Sequence, residues 1–314
     1  MRKLAGALFA AAVLACSGVK AAEMHVSHFG QVMPSVPWII ALEQDLFRKN
    51  GVDITDVISA AGGGSTLRNL LAGGIPFGEV ATAATVNGIQ AGLPVKIVGF
   101  GVGNAADNDW VVLANSPLKS FRDVVGKKVG ATSPGSLTTT FCHLLLKHNG
   151  IDAKQVTLVP LGVGAAVAAL NSGAVDTSYM YEPLQSKFGD KYRPIAKASD
   201  ALPKVAPLAL VASQEFIDKQ PDKLRAILLT HKHAVDFIYA NPKEAARLAL
   251  KRMVNVDEPT LQRAVERMVQ ARYWSAGSVD TEVVDGTRKL LEATGDIKPG
   301  YDFSKVIDAR FLPK

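Results

Sequence analysis

The sequence predicts an α/β protein built as two lobes, and three observations carry that expectation. Between Met24 and about Pro203, short β-rich runs alternate with helix-like segments. Beyond Gln214 the pattern changes to amphipathic helices. The chain of 314 residues is 48% hydrophobic and 20% charged, enough to bury a core in two domains of ordinary size.

Taken in order, the first element is an export signal. MRKLAGALFAAAVLACSGVKAAE places Arg2 and Lys3 before an apolar run from Leu4 to Ala15, followed by small residues. That run is too short to span a bilayer. Val19-Lys20-Ala21 predicts cleavage before Ala22, giving a signal over 1–21 and a periplasmic mature chain; Val13-Leu14-Ala15-Cys16 leaves open a lipoprotein acylated on Cys16. Beyond Glu23 the sequence has one cysteine, Cys142, inside the apolar run 141–146, so an intramolecular disulfide is excluded in that mature chain.

Strands are expected at 24–28, 52–59, 95–100, 111–113, 128–131, 156–159 and 208–212, with helices at 39–49, 66–72, 137–149 and 165–171. In the C-terminal part, Leu224, Ile227, Leu228, Val235 and Ile238 mark one apolar face. Asn241-Pro242 and Asp257-Glu258-Pro259 open two further helices. A short internal echo joins the halves. Ser65 to Gly74 and Gly164 to Gly173 each read as loop, short helix, glycine stop and short strand, with Thr82 and Tyr181 at matching places beyond them. Ordinary loop chemistry also produces such a pattern, but it suggests two similar lobes facing one another.

Four loops made of small residues lead into helices: Gly62-Gly63-Gly64-Ser65-Thr66, Ala81-Thr82-Ala83-Ala84-Thr85, Thr132-Ser133-Pro134-Gly135-Ser136 and Gly162-Val163-Gly164-Ala165. The first turn of a helix has unpaired N–H groups and the positive end of the dipole, and small side chains let an anion approach. Each loop alone reads equally as a cap and a turn. Four together, at the C-terminal ends of strands, point to a ligand cleft.

Other classes are disfavoured. The net charge of +6 includes the two basic residues of the signal and shows no basic cluster with interleaved aromatics, which argues against a nucleic-acid partner. Gly101-Val102-Gly103-Asn104-Ala105-Ala106 runs into Asp107-Asn108-Asp109 instead of an apolar helix, so it is not a dinucleotide fingerprint. Gly130 to Gly135 is not a nucleophile elbow. His231 and His233 diverge on their helix, and no metal site is expected from them. Neither catalytic residues nor a cofactor are anticipated. Trp38 and Trp110, each beside a loop or lobe boundary, are the aromatic candidates for ligand contact.

Pro37-Trp38-Ile39-Ile40-Ala41 through Leu46-Phe47, Gly63-Gly64-Ser65 with 70–78, Ser116-Pro117-Leu118-Lys119-Ser120 with 123–130, and Ser172-Gly173-Ala174-Val175-Asp176 with Glu182-Pro183 together resemble the nitrate/sulfonate/taurine type of periplasmic solute-binding protein. That group also includes binders of thiamine-pyrimidine precursors. The resemblance implies a type II periplasmic-binding-protein fold: one lobe of 24–113 plus 212–314, a second of 114–211, hinge strands at 111–115 and 208–212, and C-terminal helices packed on the first lobe. It implies a monomer that delivers one small organic ligand, expected to be anionic (a sulfonate or carboxylate), to an inner-membrane ABC permease driven by its ATPase. Carried over by position, ligand contacts come from the loop before Trp38, from Gly64, Ser65 and Thr66, from Thr82 and Ala83, from Ser133 and Ser136, and from Gly164, Tyr181 and Glu182. Glu182 has three open roles: partner of a ligand amine, helix cap, or bridge between lobes. The cysteine-rich iron-binding signature of the yeast-type pyrimidine synthases, the enzyme rival, is absent.

Overall fold

The computed structural model describes residues 22–132, 136–162 and 164–313; the expected export signal, Cys16 and Ser133 lie outside them. Runs buried on both faces make the central strands, as expected where helices cover both sides of a sheet: four residues of Phe77–Ala81 and all five of Thr177–Tyr181 are buried. In chain order the strands are β1 (Ala22–Ser27), β2 (Ile54–Ala60), β3 (Phe77–Ala81), β4 (Val95–Val102), β5 (Asn108–Leu113), β6 (Lys128–Ala131), β7 (Thr157–Pro160), β8 (Thr177–Tyr181), β9 (Tyr192–Lys197), β10 (Leu208–Ser213) and β11 (Trp274–Gly277).

They form two sheets, ordered β11-β4-β10-β3-β1-β2 and β7-β6-β8-β5-β9. The two share one plan. β1 lies parallel to β2 and β3, and β6 parallel to β7 and β8. In the first sheet β10 is inserted antiparallel between β3 and β4; in the second β5 is inserted antiparallel between β8 and β9. Each sheet therefore receives one strand just after the chain has crossed from the other. The correspondence reaches single hydrogen bonds. After β3 the N–H of Thr82 donates to the carbonyl of Pro207 at 2.9 Å, and after β8 the N–H of Glu182 donates to the carbonyl of Asp107 at 3.1 Å. The echo seen in the sequence is thus one place in the two lobes. The strand limits put Ala81 opposite Tyr181 and Thr82 opposite Glu182, one residue away from the pairing of Thr82 with Tyr181.

Two expectations need correction. The hinge strands read at 111–115 and 208–212 lie inside sheets, because β5 pairs with β8 and β9 while β10 pairs with β3 and β4. The chain crosses at 103–107 and 202–207, so β5 belongs to the second lobe and not the first. The C-terminal helices are also shared. Pro221–Ala240, Pro242–Ala249 and Glu258–Gln270 pack through Leu224, Ala246 and Leu261 into the first core with Trp38 and Phe77. On Thr281–Thr294, Leu291 joins a first-lobe core, while its neighbour Leu290 packs with Phe141 and Leu145 of the second. Cys142 is buried in that second core, and burial pushes its thiol up to about 12, so it is a packing residue.

Candidate functional site

A cleft of about 670 Å³ lies where the C-terminal ends of parallel strands from both sheets meet. The first lobe contributes Ser27 at the end of β1 and His28 after it, the start of the Gly63–Ala72 helix, and Ala81 at the end of β3. The second contributes Thr132 after β6, the start of the Leu137–His148 helix, Leu161 and Gly162 after β7, and Tyr179 and Tyr181 on β8. Asp107 enters from the first crossing, Leu208 from the start of β10 just after the second, and Tyr273 from the turn before β11.

The glycines after β2 have separate reasons. A Cβ at Gly63 would lie 2.6 Å from the Ala84 Cβ, so this residue is small because two helix starts touch there. A Cβ at Gly64 would meet only the Arg68 guanidinium at 3.7 Å, so packing does not require glycine. Gly62, Gly63, Gly64 and Ser65 all line the cleft. The first N–H to find a carbonyl in this helix is that of Thr66, bonded to Gly62; the turn before it presents the free donors of a helix start to the cleft. The Ser65 hydroxyl donates to the Gly62 carbonyl at 2.8 Å and keeps its lone pairs.

Opposite, the second helix start is dressed in hydroxyls. Ser136 caps it by accepting from the Thr139 N–H at 3.3 Å. Thr132 is bonded to the hydroxyls of Ser136 and Thr138, the latter at 2.7 Å. Tyr179 and Tyr181, two apart on β8 and so on one face, stack at 6.1 Å with an interplanar angle of 12°. The Tyr179 hydroxyl donates to the Gly162 carbonyl at 3.0 Å, which fixes the ring.

Of the residues expected to contact ligand, Gly64, Ser65, Ser136 and Tyr181 come together in this cleft. Ser133 lies outside the described residues, and the rest stand outside the lining. Trp38 is fully buried, stacked on Phe47, and donates its indole N–H to Glu79 at 2.7 Å; from the loop before it, Val32 and Pro34 are the lining residues. Trp110 is a core residue against Phe121. Thr66 is buried and spends its hydroxyl on Ser27 and Gly62. Thr82 donates to the Ala206 carbonyl at 2.6 Å, a tie to the crossing, and Ala83 packs in the first lobe. Gly164 is exposed in a turn with φ near +88° and stands outside the lining.

Glu182 also faces away from the cleft. It is fully buried and accepts from Arg267 at 2.7 Å and from the Ser186 N–H and hydroxyl at 3.1 and 3.0 Å. Arg267, on the Glu258–Gln270 helix of the first lobe, also reaches Asp109 of β5 at 3.1 Å and the side chain of Gln185. Of the three roles open to Glu182, the contacts are those of a bridge between lobes and of a cap, since the Ser186 N–H it accepts lies in the first turn of the Leu184–Phe188 helix.

The electrostatics of the cleft are unusual for an anion site. Among the described residues that line it there is no lysine or arginine. Burial lowers the pKa of His28, which disfavours its cation. Asp107 lines the cleft with its carboxylate held by the Tyr273 hydroxyl and the Asn108 amide, both at 2.8 Å, and desolvation pushes it up to about 6. Sequence reasoning missed Asp107, Tyr179 and Tyr273. The run Asp107-Asn108-Asp109 served only to reject a fingerprint, although its position at the crossing brings it to the cleft.

The family described as NMT1/THI5 like matches residues 34–245, two thirds of the sequence. The chain belongs to that family. The aliphatic sulphonate binding protein SsuA of Escherichia coli, a periplasmic protein, superposes with a TM-score of 0.75 at 18% identity, over 92% of this chain and 98% of that one. The fold is therefore that of the periplasmic binding proteins. In sequence, the chain is 22% identical to the taurine-binding periplasmic protein of Escherichia coli (strain K12) over 291 residues, 88% of this chain and 89% of the relative. It is 24% identical over 226 residues to the 4-amino-5-hydroxymethyl-2-methylpyrimidine phosphate synthase THI13 of Saccharomyces cerevisiae, covering 67% of this chain and 65% of the enzyme.

Proposed function

We propose that this protein is an extracytoplasmic solute-binding component of an ABC importer, and that it captures a small organic acid between its lobes without changing it. The observation that carries the reading is the convergence of two helix starts, Gly63–Ala72 and Leu137–His148, on one cleft lined by Ser65, Thr132, Ser136 and Thr138. Backbone N–H groups and hydroxyls hold an oxyanion by donation alone, and each helix end adds about 0.3–1 kcal/mol, more when partly buried. Small residues let the head group reach them, and the carbon skeleton rests on Tyr179 and Tyr181. The periplasmic setting is taken from the relatives that bind taurine and sulphonates, and delivery to an ABC permease and its ATPase from the sulfonate ABC transporter named for a further structural neighbour.

The stacked tyrosine pair supports a second reading, a planar pyrimidine-like ligand lying against the rings. Calorimetric titration with an alkanesulfonate, a short carboxylate and an aminopyrimidine separates the two. Binding of either acid at micromolar affinity supports the first reading; binding of the pyrimidine alone replaces it with the second. Recovery of the bound compound unaltered after prolonged incubation is expected of a carrier, and its conversion would place the chain with the enzymes.

A further inference from the structure

We infer that Asp107 is a specificity-determining residue of the cleft, a carboxylate that selects solutes carrying a protonated nitrogen beside their acid group. The inference rests on the carrier reading above and names the class of solute within it. Its basis is a charge with no partner. Asp107, Asp109 and Glu182 lie close together around the first crossing. Arg267 pairs there with Asp109 and Glu182, and Lys197 also lowers the Asp109 pKa. Among the described residues, Asp107 receives hydrogen bonds from neutral donors, the Tyr273 hydroxyl, the Asn108 amide and its own backbone N–H, and the nearby Glu182 carboxylate repels its charge further. A carboxylate has about four acceptor positions, so three neutral donors leave capacity for a fourth. Burying such a charge without a cation is costly. Since Asp107 lines the cleft, a cationic solute is able to supply the missing partner.

The fold does not ask for this carboxylate. At the corresponding place in the first lobe the residue before the inserted strand is Pro207, which accepts the N–H of Thr82 as Asp107 accepts that of Glu182. The shared structural task belongs to the backbone carbonyl, and a proline performs it without any polar side chain. What Asp107 adds is a negative charge beside two helix starts that favour an anion. The cleft therefore has both poles of a zwitterion, and no lysine or arginine among its described lining residues competes for the carboxylate.

The test is a calorimetric titration of the full mature chain, unfolded and refolded to remove bound solute. The probes are two matched pairs, 3-aminopropanesulfonate against propanesulfonate and 4-aminobutanoate against butanoate, with propylamine as a fifth compound. A charge-assisted hydrogen bond predicts that the amino member of at least one pair binds about tenfold or more tightly than its partner at pH 7.5. The advantage is expected to vanish in Asp107→Asn, which keeps the side-chain size. In wild type it is expected to shrink as pH falls from 7.5 to 5, through the Asp107 pKa near 6. His28 lines the same cleft and, as it gains charge at low pH, also disfavours an amino solute, so the trend is assigned to Asp107 by its loss in Asp107→Asn or, should that variant be unstable, by its persistence in His28→Gln. Equal binding within both pairs, or an advantage that survives in Asp107→Asn, overturns the inference while leaving the acid-binding reading in place. Propylamine binding where the acids do not overturns the acid reading and supports the role of Asp107. Failure of all five to bind overturns both.

Discussion

The two lobes share a strand plan but use the same places for different ends. Two residues before the last residue of the third strand, the first lobe has Glu79 and the second Tyr179; at the last residue they have Ala81 and Tyr181; just beyond it, Thr82 and Glu182. In the second lobe the strand residues line the cleft and the residue after them clasps the other lobe. In the first lobe the strand carries a buried acid under Trp38, a small cleft residue, and a threonine tied to the crossing. The lesson is that backbone symmetry fixes where a side chain can act, while the helices packed behind each sheet decide what it can be. The C-terminal helices stand behind the first sheet, and only there does a carboxylate find Trp38 and a sealed core.

The comparison breaks most visibly at Glu79. Desolvation raises its pKa to about 8 against an ordinary value of 4.5. The folded state then keeps a proton that the unfolded state gives up, so stability is fully present below about 4.5 and is lost as pH rises toward 8. Glu79→Gln retains an acceptor for Trp38 and removes the titration. Denaturant unfolding is expected to show the variant gaining on wild type by on the order of 2–4 kcal/mol between pH 5 and pH 8. A pH-independent difference would mean that Glu79 is not a buried acid. Affinity for any probe that binds is expected to stay the same, since neither Glu79 nor Trp38 lines the cleft.

Next in size is the clasp. Arg267→Ala leaves Glu182 buried without its cation and Asp109 with only the field of Lys197, and removal of one partner of a buried pair ordinarily costs about 3–5 kcal/mol. Arg267 is more than a third exposed and water screens part of its field, so a loss of roughly 2–3 kcal/mol is expected. Thr82→Ala at the matching place should cost only about 1 kcal/mol, the net value of a neutral hydrogen bond. Urea unfolding of both variants tests the ranking; equal losses would remove the contrast between the lobes. In solute binding the order reverses to the strand residues. Tyr181→Ala is expected to weaken the best-binding acid about tenfold by removing one ring of the stacked pair, while Thr82→Ala leaves affinity within about twofold.

The architecture was legible because alternation of β-rich and helical runs survives in any single sequence, as did the loops that open helices. The lobe limits were not. A strand such as β5 looks the same whether it leaves the first sheet or enters the second, and only its pairing with β8 and β9 decides. Trp38, Trp110 and Thr66 were read as contacts because they adjoin the right loops, yet burial turns the two tryptophans into core. Tyr179 and Asp107 were invisible for the converse reason: one sits inside an apolar run and the other in a polar loop, and neither pattern records that two distant segments end at one cleft.

The glycines, where the smallest effect is that of Gly64, separate folding from binding most cleanly. Gly63 and Gly64 are neighbours in one helix start, both line the cleft, and neither has a positive φ. An added methyl at Gly63 runs into Ala84, whereas at Gly64 it meets only the end of a flexible arginine. Gly63→Ala should therefore destabilise the fold by about 1–3 kcal/mol, the cost of overpacking. Gly64→Ala should instead stabilise it by about 0.4–1 kcal/mol, because alanine loses less chain entropy on folding. If an acid head group approaches the N–H groups of this turn, the same Gly64 methyl should lower affinity severalfold in the more stable protein. Thermal melting and calorimetric titration of the two variants give the four numbers needed. A Gly64→Ala protein that melts higher and binds the acid as well as wild type would show that the head group stays away from this helix, and the donors would then have to come from Thr132, Ser136 and Thr138 in the second lobe.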